Sequence, residues 1–188
     1  MRDLHQIFID HQYAPDYGDK GSVHTYTKEY EILLAPYRDN HTILEIGLEY
    51  GGSLKMWNEY FTNSKIVGLS LAYPDYVKRY PDDIKGKING NEVTIIEGNA
   101  CYPEILEQVK DFTFDVIIDD GSHLLKEQVS SFELFKTKMN KGGIYIIEDI
   151  QNLKEEKEVF ESLHDNLTII DNRHINNRWD DILLVYKF

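Results

Sequence analysis

The sequence predicts a doubly wound α/β fold around a largely parallel sheet, and three observations carry that prediction. Five short, mostly β-branched runs recur: TILEIG (42–47), KIVGLSL (65–71), EVTIIEG (92–98), FDVIIDD (114–120) and GIYIIED (143–149). Several are apolar at successive positions, as strands covered on both faces must be. Stretches of helical character separate them, which implies right-handed crossovers between parallel strands.

The elements follow in order. Residues 1–41 read as helical pieces around YAPDYGDKGSVHTYT, then the amphipathic stretch KEYEILLAPY. This segment is expected to lean as a cap over the carboxyl ends of the strands, where ligands bind in such sheets. The five strand–helix units form the core from residue 42 onward. LTIID (167–171) and DILLVYKF (181–188) supply two more strands joined by the polar NRHINNRWD. A strand–strand ending predicts a final antiparallel pair and a sheet of seven. No Pro- or Ser-rich linker interrupts the chain, so residues 1–188 read as one domain, a 1–41 cap on a 42–188 core.

Composition narrows the function. The chain has 188 residues, 41% hydrophobic and 12% aromatic, enough to bury a sizeable core. Its formal charge of −13, without a compensating Lys or Arg run, would repel phosphate backbones and argues against nucleic acid. A cation or a cationic cofactor is easier to accommodate. Cys101 is the only cysteine, which leaves neither an internal disulfide nor a thiolate zinc cluster. No apolar run reaches the roughly 20 residues of a membrane helix, and the start is not signal-like. The expectation is a soluble, cytoplasmic protein with no membrane partner.

LEIGLEYGGSLKMW (44–57) is a strand, a glycine turn and a helix. Gly47 can take the tight turn, Gly51-Gly52 let the backbone approach a ligand, and Ser53 is a candidate helix cap. Glu45 lies near the strand end. The spacing is neither GxGxxG nor a GK[ST] phosphate loop, which argues against NAD and ATP. A packing turn would read the same way.

The fourth strand ends in Asp119-Asp120 and the fifth in Glu148-Asp149. Parallel strands deliver both pairs to the same edge. Carboxylates crowded there raise one another's pKa unless a cation neutralises them. Hard oxygen donors suit Mg²⁺, Ca²⁺ or Mn²⁺ better than zinc. His123 follows Asp120 by three residues in a tight turn, and an imidazole there can act as general base. Acidic strand ends are also common without a ligand; two such ends with a histidine beside one favour a site. Ser122 lacks the GxSxG setting of a nucleophile.

Four motifs in this order, GDKGSVHTYTKEYEILLAPYR, ILEIGLEYGGSLKMW, DVIIDDGSH followed by Gln128 and Phe132, and KGGIYIIED, resemble the class I S-adenosylmethionine-dependent methyltransferases. More narrowly, they resemble the metal-dependent sugar O-methyltransferases of macrolide and polyketide tailoring. The likeness runs from about Gly18 to Asp149. It implies a Rossmann-like methyltransferase sheet with Glu45, Gly47, Gly51 and Ser53 lining the S-adenosylmethionine site. It implies Mg²⁺ held by Asp120, Glu148 and Asp149, with Asp119 nearby and His123 as base. Lys20, His24 and Tyr26 would close the site over methionine or sugar. The substrate implied is a small-molecule sugar hydroxyl, a deoxyhexose such as rhamnose, free, nucleotide-linked or in a glycoside.

Two positions depart from that pattern. Ser70 stands where such enzymes end their second strand in an acid that binds both ribose hydroxyls, and Asn99 stands where they usually have Asp. A hydroxyl or amide can still hydrogen-bond the cofactor, but without charge. Weakened cofactor binding is expected, with Asp75 in the next loop as a stand-in. Ser70 and Asn99 keep open a non-catalytic binding protein on the same scaffold, and a metal-dependent enzyme of the fold with different chemistry is a third reading. Exposed aromatics in the cap and last strands would permit a homo-oligomer.

Overall fold

The computed structural model describes residues 2–11, 18–79, 81–82 and 88–188. Residues 13–17, the first part of the expected cap motif, lie outside the described residues. The strands are β1 (Thr42–Ile46), β2 (Lys65–Ser70), β3 (Glu92–Glu97), β4 (Phe114–Asp119), β5 (Met139–Ile147), β6 (Leu167–Asp171) and β7 (Ile182–Lys187). The helices are α1 (Leu4–His11), α2 (Tyr26–Leu34), α3 (Gly52–Tyr60), α4 (Asp75–Arg79), α5 (Ile105–Gln108), α6 (Leu125–Phe135), α7 (Leu153–Leu163) and α8 (Arg173–Asn176).

One seven-stranded sheet runs in the order β3-β2-β1-β4-β5-β7-β6. The first five strands are parallel, and β7 inserts antiparallel between β5 and β6, giving the expected antiparallel ending. Strand ends fall within a residue or two of the sequence reading except in β5. That strand begins at Met139, which pairs with Phe114, and residues 140–143 fall in a register shift before Ile144 pairs with Val116 of β4.

Two apolar layers cover the sheet. One joins Ile43, Ile66, Val116, Ile118 and Ile146 to α1, α2 and α3 through Phe8, Tyr30 and Trp57. The other joins Leu44, Val67, Ile117, Tyr145 and Leu184 to α6 and α7 through Phe132 and Phe160. Successive strand residues therefore face opposite layers, and both layers are dry, which is why the runs read as apolar rather than alternating. Among the described residues no helix is long and apolar enough to cross a membrane.

The chain runs from β1 outward to β3 and then crosses back to β4 on the other side of β1. Connections diverge between β1 and β4, and the carboxyl ends there open a crevice in folds of this kind.

Candidate active site

Backbone bonds draw the strand tips together at that crevice. The Asp120 amide donates to the Ile46 carbonyl at 2.9 Å, and the Glu148 amide donates to the Asp119 carbonyl at 3.0 Å. Gly47, at φ +85°, makes the turn out of β1 against the 120–121 backbone, where any Cβ would collide with the Asp120 carbonyl. His123 and Asp149 both take a left-handed backbone, φ +58° each, which turns their side chains back toward the crevice. Non-glycine residues in that region cluster at functional sites.

The crevice has a volume of about 440 Å³, within the range of small-molecule sites. Its wall includes Gly47, Ser70, Asn99, Asp119, Asp120, His123 and Asp149. Other expected site residues lie behind this wall. Glu45 is fully buried and accepts a 2.7 Å hydrogen bond from the Ser53 hydroxyl. Ser53 thus serves the β1 acid and makes no side-chain cap. Gly51, φ +89°, stands at the N-cap of α3 instead and packs on Pro74 and Val77. Asp75 is exposed at the start of α4, paired with Lys78 at 3.0 Å, and does not face the crevice.

The acids form one cluster with the N-terminal segment. The Lys20 ammonium, 3% exposed, lies 2.5 Å from Asp120 Oδ2, 2.7 Å from Glu148 Oε1 and 3.7 Å from Glu45 Oε1. Tyr30 donates to Glu148 Oε1 and Tyr26 donates to Asp149 Oδ1, each at 2.6 Å. Gln128 on α6 donates to the Glu148 carbonyl at 3.0 Å. His24, stacked on Tyr26, holds Nδ1 3.3 Å from Asp149 Oδ1 and 3.6 Å from Asp181 Oδ1. The expected closing residues Lys20, His24 and Tyr26 are therefore buried partners of the acids and are not part of the crevice wall.

His123 Nε2 lies 3.9 Å from Asp120 Oδ1 and 3.8 Å from Asp149 Oδ2. The ligand atoms of Asp120, His123 and Asp149 all lie within 4.8 Å of one another. Asp119 turns the other way: it accepts from Ser131 and from the Tyr145 hydroxyl, the latter at 3.0 Å.

Charge in this cluster is unbalanced. Burial alone would lower the Lys20 pKa, but Asp120, Glu148 and Glu45 outweigh it and hold the ammonium well above its ordinary value. One ammonium does not satisfy four carboxylates. Burial and the neighbouring Asp120 push Glu148 well above the usual carboxylate range, against the pull of Lys20. Burial and Asp120 likewise raise Asp149, against His24. Burial raises Glu45, opposed by Lys20 and Ser53. Such a rim favours an added cation, and its donors are hard oxygens and one imidazole, a set suited to Mg²⁺ or Mn²⁺.

Tyr30, Asp181 and the pairing of Lys20 with Glu45 were not anticipated from the sequence. The spacing of Tyr26 and Tyr30 places both on one face of α2, and an acid inside the apolar run TILEIG signals a buried partner.

The fold and crevice define the class: this is the architecture of the class I methyltransferases. MycE, a methyltransferase of the mycinamycin biosynthetic pathway solved with Mg, SAH and mycinamycin VI, superposes with a TM-score of 0.75 at 20% identity, covering 99% of this chain and 53% of that one. An O-methyltransferase from Bacillus cereus in complex with SAH gives 0.67 at 14% identity, covering 100% and 92%.

By sequence the chain is a homologue of the sugar O-methyltransferases of macrolide and polyketide tailoring. It is 33% identical over 144 residues to the 8-demethyl-8-alpha-L-rhamnosyl tetracenomycin-C 2'-O-methyltransferase of Streptomyces olivaceus, covering 71% of this chain and 35% of that protein. It is 32% identical over 142 residues to the demethylmacrocin O-methyltransferase of Streptomyces fradiae, covering 69% and 33%. The chain thus spans about a third of the length of the curated relatives it matches. No family model matches the chain.

Proposed function

We propose that the protein is an S-adenosylmethionine- and Mg²⁺-dependent O-methyltransferase acting on a sugar hydroxyl, with a deoxyhexose such as rhamnose in a glycoside as the preferred acceptor. The observation that carries this reading is the convergence of Asp120, His123 and Asp149 at one edge of a crevice in a methyltransferase fold. The deoxyhexose rests on the rhamnosyl acceptor named for the Streptomyces olivaceus relative.

In this reading Gly47, Ser70 and Asn99 would line the cofactor, which would supply an electrophilic methyl group in the crevice that His123 also lines. Asp120 and Asp149, with Glu148 behind them, would hold the divalent ion, whose charge lowers the pKa of an acceptor hydroxyl. His123 Nε2 takes the hydroxyl proton. The sugar oxygen attacks the methyl carbon in line, the carbon–sulfur bond breaks, and its electron pair stays on sulfur to give S-adenosylhomocysteine. Tyr26 and Gln128 position Asp149 and the 148 carbonyl, and Tyr30 holds Glu148.

Calorimetric titration with S-adenosylmethionine, with and without Mg²⁺, tests the reading. Heat of binding is expected, and its absence in both cases would count decisively against it. Neutral residues at 70 and 99 favour one rival, a binding protein without catalysis. His123→Ala separates the two, because it should abolish methyl transfer to a rhamnoside while leaving cofactor affinity within about threefold; equal activity in the variant would remove His123 as base.

A further inference from the structure

We infer that the Lys20 ammonium is an internal occupant of the cation site, and that a divalent ion coordinated by Asp120 and Glu148 enters by displacing it. The inference rests on the metal-site reading above.

The geometry is specific. Asp120 Oδ2 and Glu148 Oε1 come from different strand tips, and their nearest cation is one shared nitrogen at 2.5 and 2.7 Å. Glu45 Oε1 faces the same nitrogen at 3.7 Å, and the side chain is almost wholly buried. A Mg²⁺ ion bridging those two oxygens at roughly 2.1 Å would stand in the place the ammonium fills. The outer donors, Asp120 Oδ1, His123 Nε2 and Asp149 Oδ2, can meet an ion without disturbing Lys20, but they exclude Glu148. Full engagement of the acids therefore requires the ammonium to withdraw.

Withdrawal has a structural consequence. Lys20 sits at the head of a tight turn in which the amides of Ser22, Val23 and His24 donate to the Asp19 carbonyl and that of Tyr26 donates to the Lys20 carbonyl. Tyr26 and His24 in turn contact Asp149. Pulling Lys20 out loosens the start of α2 next to the crevice, so ion entry and the N-terminal segment are coupled. A lysine holds this place reversibly, because its single charge loses to a divalent ion for the same oxygens.

The test is Mn²⁺ binding at pH 8, without cofactor or acceptor, followed by calorimetry and by electron paramagnetic resonance of free Mn²⁺. Lys20→Met should bind Mn²⁺ at least tenfold more tightly than the wild type, and Lys20→Arg no more tightly than the wild type. Wild-type binding with an equal or weaker Met variant overturns the displacement while leaving the metal site standing. Failure of both the wild type and the Met variant to bind overturns the metal-site reading and the displacement with it. Should Lys20→Met not fold, hydrogen exchange on the wild type decides: Mg²⁺ is expected to speed exchange at Ser22, Val23 and His24, and unchanged or slower exchange there overturns the inference.

Discussion

Ser70 sits on the crevice wall at the end of β2, where a carboxylate would be the stronger partner for a diol. A charged hydrogen bond is worth about 1.5–3 kcal/mol, roughly one to two decades of affinity. Ser70→Asp is therefore expected to tighten S-adenosylhomocysteine binding about tenfold or more by calorimetry, and unchanged affinity would place the ribose elsewhere. Asp119 makes a second residue-scale prediction. Burial pushes its carboxyl up to about 6, with Asp120 adding and Ser131, Tyr145 and the Gly121 amide opposing. An unfolded Asp ionises near 3.9, so between roughly pH 4 and 6 the folded state binds more protons and stability falls as pH rises. Two pKa units correspond to about 3 kcal/mol. Asp119→Asn lacks this titration, so its stability relative to wild type, from urea unfolding, should rise by about 2–3 kcal/mol from pH 4 to pH 7. A pH-independent difference would mean that Asp119 stays ionised throughout. At this scale the sequence exposes residue types at strand ends, which is how Asp120, His123 and Asp149 could be read. It does not expose pairings, and Lys20 meets Asp120 across 100 positions with no local signal to mark it.

At the scale of elements, the turn after β1 decides whether the crevice exists. Gly47 and Gly142 share a left-handed backbone, φ +85° and +84°, but differ in their surroundings. A Cβ at Gly47 meets the Asp120 backbone, whereas the space at Gly142 is open. Gly142→Ala should cost about 1–2 kcal/mol, the left-handed penalty alone. Gly47→Ala adds a backbone collision and should cost more than about 3 kcal/mol while distorting the 120–121 turn. Equal urea midpoints for the two variants would refute that assignment. The strands were readable because burial on both faces leaves β-branched runs. The start of β5 was not, because MNKGG carries polar and glycine residues, and residues 140–143 lie in an irregularity between the Phe114–Met139 and Val116–Ile144 pairs. The cap of α3 misled for a related reason. Ser53 has the right residue type, but its hydroxyl is drawn to the buried Glu45, and Gly51 takes the turn.

For the whole molecule, topology explains why residues from distant parts of the sequence share one rim. Parallel strands β1, β2, β4 and β5 all end on the same side, and the reversal between β1 and β4 leaves the crevice open there. The N-terminal segment closes the back of that rim with Lys20, His24, Tyr26 and Tyr30, so the acids face the crevice on one side and a wall of donors on the other. A net charge of −13 favours association with cations over anions for the molecule as a whole. The central claim is that the 119–123 turn and the 148–149 tip together hold a divalent ion. Paramagnetic broadening by Mn²⁺ of the backbone amide signals tests it most directly. Substoichiometric Mn²⁺ should erase the signals of Gly121, His123 and Asp149 first, while Lys65 and Gly142 at the opposite ends of their strands broaden far less. Retention of the Gly121, His123 and Asp149 signals at millimolar Mn²⁺, or uniform broadening across the sheet, would contradict it.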